Sequence, residues 1–467
     1  MKRTGAFVAF LLVACGSSSS PSEAVDSGAT PDVGPVDSGA ATDSGRGDAD
    51  GAADGDAYAP SVNPDVYPAF APNAPQIQKQ AGAVNAAPEI VTITFPGDPN
   101  AATYERFGDA LGESDYWKKV ATEYGVGKTT SGAALHVRLP DPMPATLVEM
   151  PPDQAEISGW LTALFTDPAK NGLPAHDPAN VYVIYADPKS SITDFGEELC
   201  AADHHLWALV NVKKIGEIEY PYILTGQCDF GHGIVDTTTA NVSSLITSVV
   251  TTPPAWYDAT STPSRPPAWD YFDDAHLADA IFHENETDVG DVCQFYPQAF
   301  IKTAEPAFAF GVLREWSNAG AAAGHDPCVP AAPAATKPYF DVVPLGTETI
   351  TPTVEGTKLT TQGFALKIGE TKTFQVGFFS DAKSDEWTLT TTEKSLPPLL
   401  GYFPWTRADN LQVTIDRKTG KNGDVATVTV KPLTFGLGAY GRLALLTFVS
   451  TMGGESHYRS VLFMPTP

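Results

Sequence analysis

The residues best suited to chemistry gather in the middle of the chain. Five of its nine histidines fall between His204 and His283, namely His204, His205, His232, His276 and His283. His283 opens an acidic run, His283-Glu-Asn-Glu-Thr-Asp-Val-Gly-Asp291. Glu284, Glu286, Asp288 and Asp291 offer the hard oxygen donors that calcium takes, and Gly290 permits a tight turn among them. The spacing is not that of an EF-hand loop. A loop pinned by Cys293 and hydrogen-bonded to a neighbouring helix accounts for the same residues, and is preferred. A second arrangement would draw His204, His205, His276, His283 and Glu284 into a zinc site able to activate water for hydrolysis. Isolated histidines more often fill polar or half-buried positions. Trp256, Tyr257, Trp269 and Tyr271 flank a proline-rich stretch, where exposed rings would stack on a sugar or peptide. Packing around the prolines explains them equally well.

The element that must position these groups is Asp236–Thr251, DTTTANVSSLITSVVT. Its apolar residues Val242, Leu245, Ile246, Val249 and Val250 recur at spacings of three and four, one face of a helix. Asp236 or one of Thr237–Thr239 is placed to cap its start, and Pro253-Pro254 stops it. Gly125-Val-Gly-Lys-Thr129 imitates the end of a phosphate loop. However, Thr122 stands where that loop needs glycine, and the segment follows a helix rather than a strand. It reads as a helix-ending glycine turn. Neither G-x-S-x-G nor H-E-x-x-H occurs.

The start of the chain speaks of location. Lys2 and Arg3 precede an apolar run over Ala6–Val13, the order of a secretory signal and too short for a permanent span. Leu12-Val-Ala-Cys15 resembles the lipobox of bacterial lipoproteins. That implies cleavage before Cys15 and its acylation, with multiple chains holding the protein on a membrane. Gly16 is compatible with delivery to the outer membrane. The formal net charge of −27 over 467 residues repels phosphate backbones and anionic head groups, so nucleic acid is not an expected partner. With Cys15 used as anchor, Cys200, Cys228, Cys293 and Cys328 remain for two disulfides in an oxidising compartment. Three connectivities are open; the simplest is Cys200–Cys228 with Cys293–Cys328.

Composition divides the chain further. Residues 16–75, rich in Ser, Gly, Ala, Asp and Pro, form an acidic disordered tether. Order is expected to begin near Glu89-Ile-Val-Thr-Ile-Thr-Phe95. Helices over Thr103–Tyr124 and Asp153–Phe165 then alternate with strands over Ala134–Leu139, Asn180–Ala186, Leu206–Val212 and Tyr222–Thr225, a mixed α/β domain over 85–330. Beyond the Pro327–Pro338 hinge, short alternating runs predict an antiparallel immunoglobulin-like sandwich over 338–467. These runs are Tyr339–Val343, Phe364–Ile368, Thr373–Phe379, Trp387–Thr391, Leu411–Ile415, Val425–Lys431, Arg442–Ser450 and His457–Phe463. The fold class is therefore α+β, a mixed domain followed by an all-β one.

Several short motifs recur in a fixed order: Cys200-Ala-Ala-Asp-His204, Pro221-Tyr222 before Cys228, Thr252-Pro253 closing the helix, Ala255-Trp-Tyr257, Asp288-Val-Gly-Asp-Val-Cys293 and Arg314-Glu-Trp-Ser-Asn318. In this order residues 85–330 resemble the secreted phosphate-induced, EXORDIUM-like proteins of plants and their bacterial relatives. The resemblance implies a metallopeptidase-like domain whose helix carries H-E-x-x-E, two ligands one turn apart facing one ion. Aligned on Thr252-Pro253, this chain has Ser244, Leu245 and Ser248 at the three key positions. Neutral hydroxyls and a hydrocarbon neither hold a divalent cation nor activate its water. A solvated helix face is the expected role of Ser244 and Ser248. The resulting expectation is a lipid-anchored envelope protein without a catalytic centre or cofactor, taking a protein, peptide or glycan in the former cleft. A zinc hydrolase with unorthodox ligands and a calcium-stabilised adhesin are the alternatives.

Overall fold

A computed structural model describes residues 63–70, 72–148, 156–194, 197–201, 208–252, 268–282, 288–296, 298–331, 337–354, 357–393, 410–435 and 443–466. Cys15, most of the tether, His204, His205, Trp256, Tyr257, His283, Glu284 and Glu286 lie outside them. Among the described residues no helix is long and apolar enough to cross a membrane.

The first body is built on a five-stranded sheet in the spatial order His136–Arg138, Glu89–Thr94, Asn180–Tyr185, Ile218–Thr225, Ala208–Ile215. The first four strands run parallel, and the last is the antiparallel arm of a hairpin that turns at Gly216, φ +61°. A parallel sheet covered on both faces demands apolar residues at every position of its central strand. Asn180-Val-Tyr-Val-Ile-Tyr185 is buried throughout. Val181, Val183 and Tyr185 pack on one side with Phe107, Trp117 and Ile246. Tyr182 and Ile184 pack on the other with Ile157, Leu161 and Phe165.

The helix expected over Thr103–Tyr124 is two helices, α1 at Ala101–Leu111 and α2 at Asp115–Ala121, ending in a tight turn at Thr122–Tyr124. A Cβ at Gly112 would collide with the Thr129 carbonyl oxygen and lie 2.7 Å from Thr129 Oγ1. Ser114 then caps α2 by accepting the Trp117 N–H at 3.0 Å. Gly125 adopts φ +81° at the end of that turn, so Gly125–Thr129 is a helix stop as expected. A third helix, α3, spans Glu156–Thr166.

The second body pairs a four-stranded sheet (Phe340–Leu345, Lys372–Ser380, Val425–Pro432, Leu411–Ile415) with a six-stranded one (Glu348–Ile350, Thr361–Leu366, Glu455–Pro465, Ala444–Met452, Trp387–Thr392, Thr419–Gly420). Phe340, Phe374, Val376 and Val428 from the first sheet meet Phe364, Trp387, Leu446 and Phe463 from the second in one core. The alternating runs seen in the sequence all form strands. One pairing departs from the antiparallel expectation, since Gly363–Leu366 runs parallel to Leu462–Pro465.

Residues 63–70 and 72–75, expected as part of the tether, are among those described. Ala69, Ala74 and Ile77 are buried, and Ile77–Lys79 pairs with Trp269–Phe272. Two disulfides form, Cys200–Cys228 and Cys293–Cys328. The second lies fully buried in a small core with Ile77, Phe272, Tyr296 and Trp316. A short helix, α5, at Leu277–Phe282 then carries Ala278, Ile281 and Phe282 onto Ile350, Leu445 and Leu462 of the sandwich. Asp279 accepts the Ser460 N–H there at 2.9 Å, close to the buried Arg459–Asp341 pair at 3.1 Å. Removing the buried disulfide, which closes 35 residues, with Cys293→Ser and Cys328→Ser together should cost about 4 kcal/mol, measured by urea unfolding.

Candidate functional site

The predicted helix is present as α4, Ile234–Thr251, but it begins earlier than its expected caps. Gly233 occupies the N-cap position, and Asp236 lies inside the first turn. Asp236 serves other partners, accepting the Gly311 N–H at 3.1 Å and pairing with Lys302 Nζ at 2.5 Å. The apolar face carries Val242, Ile246, Val249 and Val250 into the core beneath the sheet, and half-buried Leu245 packs against the same cluster.

The opposite face is buried as well, which corrects the expectation of a solvated one. Ser244 and Ser248 are 4% and 8% exposed. Most of the helix hydroxyls pair locally or across the packing, Thr238 Oγ1 being buried without a hydrogen-bond partner among the described residues. Thr239 donates to the Gly311 carbonyl at 2.9 Å, and Ser243 accepts the Leu313 N–H at 3.1 Å. Thr247 and Thr251 donate to carbonyls one turn back at 3.0 and 2.7 Å. Ser244 donates to the Gly290 carbonyl at 2.6 Å, and Ser248 donates to Asp288 Oδ1 at 3.0 Å. Every buried polar group so paired avoids the desolvation cost of an unmade bond.

The loop carrying Asp288 and Asp291 therefore sits directly on the helix. Asp288 Oδ1 also accepts the Gly290 and Asp291 N–H groups, at 2.8 and 3.0 Å. Burial raises the pKa of this carboxyl, while these donors and Ser248 pull it down. The main chain at Gly290 is in contact with α4. A Cβ there would collide with Ser248 Oγ and stand 2.6 Å from the Ser244 carbonyl oxygen. A divalent ion does not fit these residues. Two hydroxyls and a leucine side chain occupy the positions where the family resemblance puts its ligands, and loop backbone fills the space above them. Among the described residues no group of three or more His, Cys, Asp or Glu could hold a metal ion.

The alternative ligand set is likewise occupied where it is described. His276 Nδ1 lies 2.7 Å from Asp273 Oδ1, and its Nε2 lies 3.2 Å from the Asn73 carbonyl oxygen. His232 stacks on Phe300 at 3.7 Å between ring centroids. For Trp269, a candidate either for the cleft or for packing, the contacts are those of packing. Its indole N–H donates to the Tyr124 carbonyl at 2.9 Å, and its ring meets Tyr124 edge-on at 5.1 Å. Tyr271 is placed only as part of its strand.

One residue of the site was not singled out from sequence. Glu315 is fully buried, with Oε1 accepting the Tyr116 hydroxyl at 3.0 Å and no partner for Oε2 among the described residues. Burial pushes its pKa well above the carboxylate range, and the negative charge of Asp288 pushes the same way. The signal for it was a lone acid within Gly311-Val-Leu-Arg-Glu-Trp316, noted only for its place in a motif order. Burial thus favours the protonated acid over the carboxylate, and the group has no open face to solvent.

No protein-family model and no curated protein matches the chain. Among the solved structures that share partial likeness with it are two from titin. The titin M3 domain is 10% identical, with 22% of this chain and 88% of that chain covered at a TM-score of 0.14. A chimeric titin Z1Z2-Z1Z2 tandem is also 10% identical, with 28% and 85% covered at 0.14. Scores this low decide nothing about the fold.

Two predictions follow from this geometry. Folding favours the protonated form of Glu315, so its contribution to stability is present below the ordinary glutamate pKa and is lost as pH rises through the raised one. Glu315→Gln should therefore stabilise the protein by about 1–3 kcal/mol at pH 8, with the gain shrinking toward pH 4 in paired melting curves. Gly290→Ala should cost about 2–3 kcal/mol by chemical denaturation, because the methyl group has nowhere to go.

Proposed function

We propose that this protein is a bacterial lipoprotein held on the cell envelope through Cys15 and presented on an acidic stalk. Its folded part binds a protein, peptide or glycan and performs no catalysis. In this proposal the first body is an EXORDIUM-like domain whose former metal position is packed shut, and the second is an immunoglobulin-like module. The observation that carries it is the contact of the Gly290 main chain with Ser244 and Ser248. A catalytic ion needs an open coordination position for water and substrate, whereas this face of α4 is closed by hydroxyl–carbonyl bonds. The acidic balance, the signal-like start and the two disulfides support an extracytoplasmic setting.

Two measurements test the proposal. Cys15→Ser should shift the protein from the membrane fraction to the soluble fraction and abolish incorporation of labelled fatty acid. Retention in the membrane with label still present would overturn the anchor. Purified wild-type protein should carry no stoichiometric zinc or calcium by elemental analysis, with the same melting temperature before and after chelation. Stoichiometric metal, or a chelator-sensitive melt abolished by Asp288→Ala, would replace the proposal with the hydrolase or the adhesin.

A further inference from the structure

Chain order alone joins the stalk to the α/β domain, which follows it directly. The contacts of residues 63–79 run otherwise. Asn422, in the turn Lys421-Asn-Gly423 of the sandwich, is 5% exposed and spends its whole amide group on the incoming segment and its own sheet. Its Nδ2 donates to the Pro64 and Val66 carbonyls at 3.1 and 2.8 Å. Its Oδ1 accepts the Ala69 and Ser380 N–H groups, both at 3.0 Å. Phe70 lies edge-on to Phe379 at 6.0 Å and close over Gly377, where a Cβ would stand 2.7 Å from its ring. A few residues later the segment meets the other body. Ile77 exchanges two hydrogen bonds of 2.8 Å with the Asn318 amide group. The Gln76 N–H donates to Asp273 at 2.9 Å, and the Asp273 N–H donates back to the Gln76 carbonyl at 2.9 Å.

We infer that residues 63–79 are a strap through which the stalk enters the fold at the sandwich before crossing to the α/β domain, and that Asn422 is its fastener. An asparagine side chain presents two donors and two acceptor sites, and four partners saturate it at a buried position, so few other residues would hold three points of an incoming chain at once. The consequence for display rests on the lipid-anchor proposal: the C-terminal sandwich stands at the stalk, and the α/β domain, first in sequence, is the part presented outward.

The test uses the full chain and reads the strap independently of any lipid. Hydrogen exchange should show the Ala69 amide protected in the wild type. Asn422→Ala should speed its exchange by about tenfold, the effect of one or two lost hydrogen bonds, while the Ile77 amide stays protected. Phe70→Ala, which leaves the sandwich its own side chains, should do the same and separates loss of the strap from loss of the fold. In a Cys15→Ser background, Förster transfer from a dye on Ser61→Cys should be stronger to Lys383→Cys of the sandwich than to Lys119→Cys of α2. An unprotected Ala69 amide in the wild type, exchange unchanged in both variants, or stronger transfer to Lys119→Cys would each overturn the strap. Failure of the anchor would instead appear as a Cys15→Ser protein that still sediments with membranes.

Discussion

Helix α4 has to bury a face made of hydroxyl groups, and much of the first body is arranged around that requirement. A buried hydroxyl without a partner costs on the order of 1–3 kcal/mol. The solution is short range. Small side chains let the strand at Gly311–Leu313 and the loop at Asp288–Asp291 approach the helix until its serines and threonines reach backbone carbonyls or the Asp288 carboxylate. Gly290 and Gly311 are glycine because a Cβ at either would collide with the helix. The hydroxyl face of α4 is a packing surface.

The same closeness explains the carboxyl groups. Asp288 keeps donors from its own loop and from Ser248, so its charge has somewhere to go. Glu315 has the Tyr116 hydroxyl alone among the described residues, and burial pushes its pKa well up. Two acids that share a dry region cannot both ionise cheaply; the pKa of each is raised by burial, and the charge of Asp288 adds to the rise at Glu315.

A second set of buried polar groups ties the bodies together. Asp279 on α5 accepts a main-chain N–H of the sandwich, beside Arg459 and Asp341. Burial raises the Asp341 carboxyl to about 6 despite the neighbouring guanidinium, and holds His457 neutral, its pKa lowered to about 3. With the apolar patch of α5 and the strap, this junction fixes the sandwich against the α/β domain through groups drawn from distant parts of the chain.

What the sequence determined by itself was local. Alternation of apolar and polar residues located the sandwich strands, the uninterrupted run at Asn180–Tyr185 marked a strand covered on both faces, and Gly125 marked a stop, because each depends on neighbours within a few positions. The simplest disulfide pairing also proved to be the one formed. Tertiary structure decided the remainder. Whether Ser244 and Ser248 meet water or protein depends on a loop forty or more positions away; Gly112 leaves room for Thr129, which lies against the end of α1; and the residues at 63–70 and 72–75, assigned to the spacer by their place in the chain, are tied down by Asn422 and by contacts around Asp273. Periodicity records which side of an element is apolar. It does not record what a polar side will touch, because a hydroxyl or an amide is equally satisfied by water or by a carbonyl, and only the packed chain chooses between them.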